Sequence, residues 1–203
     1  MSAQTNENAI FDRDLMLAFR RRAFQRAEPG ADFLLRRVAD DLEERLGAVE
    51  RHFPVAVDLA GHTGAAAAAI AQTGKADYVL RIERDTEFLQ GPFPAIVGDE
   101  EALPLKPGSA DLIVSLMALH ATNDTPGAMV QIARALKPDG LFLAALSGSG
   151  TLGELRESLL QAEIELTGGA SPRVMPFADV RDVGSLLQRA GYALPVTDVE
   201  NIT

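Results

Sequence analysis

The chain of 203 residues has no cysteine, which excludes disulfides, thiol nucleophiles and cysteine-held zinc or iron–sulfur clusters. Its three histidines, His52, His62 and His120, are too scattered to suggest a metal site. Basic residues are in deficit, 19 against 29 acidic ones. The resulting formal net charge of −10 argues against non-specific nucleic-acid binding, which needs Lys and Arg in excess on some face. Arg20-Arg21-Arg22 is the only basic run, and such a run is more often a solvated face than a partner site. No apolar stretch approaches the roughly 20 residues that span a bilayer. Residues 1–10 are polar and lack the apolar core of a signal peptide, so the cytoplasm is the expected location. What remains, 47% hydrophobic and 24% charged residues, is the composition of an ordinary globular protein with a sizeable core.

Residues 1–9 read as disordered. Two helical stretches follow, Ile10 to about Ala27 and a second in which Leu34, Val38, Leu42 and Leu46 recur every four residues, with a turn at Glu28-Pro29-Gly30 between them. Together residues 1–49 read as an N-terminal helical cap on a domain spanning 50–203. From Pro54 onward, short apolar runs alternate with helical periods. Candidate strands are Val55–Leu59, Tyr78–Ile82, Ala95–Val97, Leu112–Leu116 and Leu141–Leu146, with helices near 64–72, 85–90, 126–136, 152–166 and 179–190. Near-continuous Val, Ile and Leu in strands separated by helices predicts a doubly wound, mainly parallel α/β sheet with helices on both faces. Thr125 is placed to cap the 126–136 helix, and Lys137-Pro138-Asp139-Gly140 to turn the chain into the next strand. Tyr192 to Thr203 reads as the start of one more strand with nothing to pair it, so the domain reads as C-terminally incomplete.

The stretch Val55-Ala56-Val57-Asp58-Leu59-Ala60-Gly61-His62-Thr63-Gly64 has the layout of a nucleotide-type cofactor site. A buried strand ends in an acid, and a small-residue turn leads into a helix whose N-terminus faces the ligand. Gly61 and Gly64 permit close backbone approach or positive φ. A ribose site needs a carboxylate at the end of the second strand, where the sequence reads Leu80-Arg81-Ile82-Glu83. Arg81 stands in the expected place but has no acceptor, which leaves Glu83 for the task. A surface charge pair with Arg84 or Asp85 is the plainer role for Glu83. Gly98-Asp99-Glu100 follows the third strand, where a carboxylate can accept from an exocyclic amine such as adenine N6. The fourth run, Asp111 to Leu116, leads to His120, a histidine that is more often structural than a general base.

These four segments, in this order, resemble the class I S-adenosylmethionine-dependent methyltransferases of Rossmann-like fold over about residues 50–200. Leu136-Lys137-Pro138-Asp139-Gly140-Leu141 and Leu186-Leu187-Gln188-Arg189-Ala190-Gly191-Tyr192 are similar to that family's late motifs. A closer resemblance covers nearly the whole chain. Ile10-Phe11-Asp12-Arg13 with Arg22-Ala23, Gly150-Thr151-Leu152-Gly153-Glu154-Leu155-Arg156, and Ser171-Pro172-Arg173-Val174-Met175-Pro176-Phe177 resemble the complex I assembly factor 5 group. Bacterial members of that group are labelled biotin-synthesis-type methyltransferases, and the mitochondrial member is regarded as an arginine hydroxylase acting on a complex I subunit.

The resemblance implies S-adenosylmethionine as cofactor, held by Asp58, Ala60, Gly61, Gly64, Glu83, Asp99, Glu100 and Leu116. His120 is the weak catalytic candidate, and no metal is implied. Glu154 and Arg156 lie on a helix expected to overhang the pocket. The implied function is transfer to a small molecule or a protein side chain. The alternative is a respiratory complex I assembly factor, non-catalytic or of arginine-hydroxylase type, whose partner is a complex I subunit. Three departures point to a weakened cofactor site. Ala60 and His62 stand where glycine is usual, Ala60 being tolerable only at negative φ, and Arg81 stands where the second-strand acid is expected.

Overall fold

In the computed structural model, residues 9–202 are described; the expected disorder of residues 1–9 falls almost wholly outside them. Five strands, β1 (Phe53–Leu59), β2 (Ala76–Glu83), β3 (Ala95–Val97), β4 (Ala110–Leu116) and β5 (Leu136–Ala145), form one sheet in the order β3-β2-β1-β4-β5. Every neighbouring pair is parallel. The expected central strand is therefore central: Val57 pairs with Leu80 on one side and Ile113 on the other. Ala56, Val57 and Leu59 of β1 and Leu112, Ile113 and Val114 of β4 are all buried. Strands covered on both faces have no reason to alternate apolar with polar residues, which is why their sequences run continuously apolar.

The chain leaves β1 toward β2 and β3, then returns to build β4 and β5 on the other side. The order thus reverses between β1 and β4, and the crevice at their carboxyl ends is where open α/β sheets bind ligands. Helix α3 (Ala65–Gln72) connects β1 to β2, and α4 (Thr125–Ala135) connects β4 to β5. Alanines let α3 lie close to its neighbours: Ala66, Ala67, Ala69 and Ile70 pack with Ala39, Leu42 and Leu46 of α2 (Phe33–Ala48) and with Phe53 and Leu112 of the sheet. Lys75 closes the end of α2, its Nζ donating to the carbonyls of Leu46 and Gly47 at 2.7 Å each. This ammonium satisfies helix-end acceptors and suits the negative end of the helix dipole.

Helix α1 (Arg13–Arg26) buries none of its side chains fully; Asp12 caps it by accepting from the Leu15 amide at 2.9 Å. Both N-terminal helices fall in one compact unit with the sheet, which ends at Leu146. A second unit starts at Ser147 and holds α5 (Gly153–Thr167) and α6 (Val180–Arg189). Within it, Glu163 pairs with Arg173 at 2.6 Å, and Arg156 donates to the carbonyls of Ser149 and Thr151.

Several expected details are corrected. Strand β2 continues one residue beyond Ile82 and ends at Glu83. The Lys137–Gly140 turn lies inside β5 as an irregularity: Ala110 pairs with Leu136 but Leu112 with Leu141, and Asp139 takes φ 64°. Asp124, not Thr125, caps α4, because its carboxylate reaches the Gly127 amide at 2.8 Å. Residues 193–202 form no strand, and Thr203 lies outside the described residues.

Candidate functional site

The turn after β1 is built on left-handed backbone at three positions: Ala60 (φ 57°), His62 (φ 56°) and Gly64 (φ 84°). The condition that Ala60 keep a negative φ is not met. Each non-glycine residue in this region costs about 1–2 kcal/mol, so the turn carries strain that glycine at 60 and 62 would remove. Gly61 is required by contact, since a β-carbon there would run into the Asp58 carboxylate. Gly64 is required twice over: its φ is positive, and a β-carbon would sit 3.0 Å from Arg81 Cζ.

Arg81 does not occupy the end of β2. It pairs across the sheet with Asp58, two residues before the strand ends, and is buried at 1% exposure. Its Nε donates to Asp58 Oδ2 at 3.3 Å, Nη1 to the carbonyls of Phe88 and Gln90 at 2.8 and 3.1 Å, and Nη2 to the His62 carbonyl at 3.0 Å. The strand-terminal residue is Glu83, so the second-strand acid is present and its replacement by Arg81 is overturned. An aspartate at 81 would instead set a second buried carboxylate beside Asp58. Glu83 is no surface charge pair either: it is 1% exposed and accepts from the His62 amide. Its own carbonyl accepts from the Gly98 amide at 2.9 Å, which ties the acid at the end of β2 to the Asp99-Glu100 segment.

Four buried polar atoms at this end of the sheet lack a hydrogen bond: Asp58 Oδ1, His62 Nε2, Glu83 Oε2 and, on β4, Ser115 Oγ. Buried acceptors left in this state are costly and ask for a ligand or water. Burial pushes the Glu83 carboxyl up to about 7, against the opposing pull of Arg20 and the His62 amide. Burial likewise raises Asp58 to about 6, more than Arg81 lowers it.

Arginines of α1 meet these acids. Arg20 Nη2 lies 3.6 Å from Glu83 Oε2, with its guanidinium 5.2 Å from the centre of the Phe88 ring. Arg13 reaches Asp99 at 2.8 Å and Glu100 and Glu101 at 2.5 Å each, and Arg21 pairs with Asp85. Arg84 adds a 3.2 Å contact to Asp99. Two of the three arginines of the basic run thus pair with acids, while Arg21 and Arg22 remain exposed to solvent. The His62 ring turns toward α1, edge-on to Phe24 and Phe88 at 5.8 and 4.7 Å between centroids. Burial first and Arg20 second bring its pKa down to about 4, so the imidazole is neutral at pH 7.

Asp58, Ala60, Gly61, Gly64 and Glu83 are therefore brought together, and Asp99 and Glu100 adjoin them through Gly98. Leu116 is buried in the cluster with Ala66 and Ala67, followed by Met117 at φ 56°. His120 lies in a short 3-10 turn, Leu119–Ala121, half-buried, with its pKa lowered by burial and by Arg20. An open cleft of about 450 Å³ lies beside α3, lined by residues including Thr63, Ala68, Gln90 and Phe93. Of the expected cofactor residues, Gly64 alone borders it. Among the described residues no group of three or more histidines and carboxylates could hold a metal ion. Arg13, Arg20 and Arg84 were not anticipated. The available signal was an arginine-rich helix in a chain whose acids cluster at 99–101.

A parallel sheet of this order, with an acid-bearing glycine turn after its first strand and carboxylates at the end of the second and after the third, defines a Rossmann-like domain of the class I methyltransferase type. A family model described as a methyltransferase domain matches residues 57–144. The arginine-hydroxylase NDUFAF5, mitochondrial, of Homo sapiens is 39% identical over 199 residues, covering 95% of this chain and 58% of that protein. A malonyl-[acyl-carrier protein] O-methyltransferase of Laribacter hongkongensis is 36% identical, covering 90% of this chain and 66% of that enzyme. Among solved structures, the putative methyltransferase in complex with the Trm112 activator of Haloferax volcanii superposes with a TM-score of 0.61 at 21% identity, over 88% of this chain and 75% of that one. The chain belongs to the class I S-adenosylmethionine-dependent methyltransferase superfamily, close to NDUFAF5. It spans a little over half the length of the human and mouse NDUFAF5 proteins.

Proposed function

We propose that the protein binds S-adenosylmethionine at the carboxyl ends of β1 and β2 and modifies a small molecule or a protein side chain. The observation that carries this reading is Glu83, a buried carboxylate at the end of β2 with one oxygen free of hydrogen bonds. A sugar hydroxyl donates to such an oxygen, and Asp58 Oδ1 offers a second acceptor beside the turn. Gly61 and Gly64 leave the backbone open there, and Asp99 and Glu100 would serve the adenine side. The bound cofactor would supply an electrophilic methyl group. What the residues contribute is placement of the two reacting partners, which for such transfers carries much of the rate.

Isothermal titration of the full-length protein with S-adenosylhomocysteine tests this. Binding is expected, and Glu83→Ala should weaken it at least tenfold, about 1.4 kcal/mol. No measurable binding by the wild type, or equal binding by the variant, would refute the site.

One observation favours a second reading. Arg20 and Arg13 engage the acids that a cofactor would use. A protein that kept the fold while its own helix filled this role would act in respiratory complex I assembly, with a complex I subunit as partner. It would do so without catalysis, or by modifying an arginine in the manner for which the human relative is named. Failure of both the wild type and the Ala60→Gly/His62→Gly variant to bind would favour this reading.

A further inference from the structure

The least expected residue in the structure is Arg81, a guanidinium in the interior of a sheet with a side chain only 2% exposed. A charge partner for Asp58 would explain one donor. Arg81 uses four, and its contact with Asp58, at 3.3 Å, is the longest of them. The other three acceptors are main-chain carbonyls: that of His62 in the glycine turn, and those of Phe88 and Gln90 in the segment after β2. A planar fork of five N–H groups can hold several carbonyls in fixed relation, which the compact ammonium of lysine cannot. The turn it grips needs holding, because Ala60 and His62 both sit in left-handed backbone that side chains disfavour. Such strained residues persist only where their surroundings over-determine them. The fit is mutual, since Gly64 has no β-carbon where the guanidinium passes.

We propose that Arg81 is a positioning residue, which holds the 58–64 turn in its ligand-accepting shape and replaces in function the glycines absent at 60 and 62. The proposal rests on the reading of this turn as the cofactor site. The same carbonyl bonds lock the turn to the 86–90 segment, so both segments respond to Arg81 together.

The test compares Arg81→Met, Arg81→Lys and Arg81→Met combined with Ala60→Gly and His62→Gly, in the full-length protein. Hydrogen exchange is followed by mass spectrometry, and S-adenosylhomocysteine binding by titration. In Arg81→Met, exchange in peptides covering 58–64 and 86–91 should accelerate at least tenfold, while peptides of α4 and β4 keep their protection. Affinity should fall at least tenfold, because fewer molecules hold the competent turn. Adding the two glycines should recover most of that loss in affinity, because the turn then reaches its shape without the guanidinium. Arg81→Lys keeps a charge beside Asp58 but not the fork, and should behave like Arg81→Met. Unchanged exchange in Arg81→Met, wild-type behaviour of Arg81→Lys, or no recovery by the glycine pair would overturn the proposal. Global unfolding of both single variants would also overturn it, by making Arg81 a general support of the core. The exchange measurement needs no ligand. A wild-type protein that binds no S-adenosylhomocysteine therefore removes the cofactor reading and leaves the role of Arg81 to be decided by exchange alone.

Discussion

Glu83→Gln should make the protein more stable at alkaline pH and leave it unchanged in acid. Burial lifts the carboxyl from its ordinary 4.5 to about 7 in the folded protein. A carboxyl raised in this way holds its proton more tightly folded than unfolded. Its contribution to stability is full below pH 4.5 and is lost as pH rises through about 7. At about 1.4 kcal/mol for each pH unit of the difference, the ionised group costs roughly 3 kcal/mol by pH 9, with the attraction of Arg20 already included. Glutamine keeps the shape and an oxygen for the His62 amide, and it does not ionise. For a chain of this size, about 2–4 °C accompanies each kcal/mol, so the variant should melt about 6–12 °C above wild type at pH 9 and within a degree or so of it at pH 4. Circular-dichroism melts of both proteins at pH 4, 5, 7 and 9, in buffers of matched ionic strength, read this difference directly. A difference in melting temperature that stays flat from pH 5 to 9 would refute the reasoning.

Gly64→Ala should destabilise the protein by about 2–4 kcal/mol, combining left-handed backbone at φ 84° with a methyl 3.0 Å from Arg81 Cζ; an unchanged urea midpoint would count against the packing described. Arg13→Ala removes the guanidinium that joins Asp99, Glu100 and Glu101, and these partly exposed pairs warrant about 1–2 kcal/mol. That loss should grow when salt is lowered, because three neighbouring carboxylates then repel one another with less screening; a salt-independent change would indicate lost packing instead.

The central strand, the parallel sheet and most helices were legible because they follow from composition along short windows. Leu112-Ile113-Val114 admits little but a strand buried on both faces, and Ala65–Gln72 is a helix of strong helix formers. The glycine turn was also legible, as were Asp58, Asp99 and Glu100 as its neighbours. The end of β2 was not: Arg81 and Glu83 are two residues apart and point to the same face, so only the pairing of Glu83 with Val97 shows how far the strand runs. Lys137–Gly140 looked like a simple turn, because a break in register is a property of two strands and not of one.

The sequence by itself determined the order of elements, the family to which the turn belongs and the presence of acids near it, since periodicity and local chemistry are written residue by residue. Tertiary structure decided what those acids do. Arg13 and Asp99 are 86 residues apart in the chain, as Arg20 and Glu83 are 63, and only folding sets them side by side. It also decided the protonation of Glu83 and Asp58, because a carboxyl's pKa follows from the water it loses and the charges it meets, neither of which a sequence records.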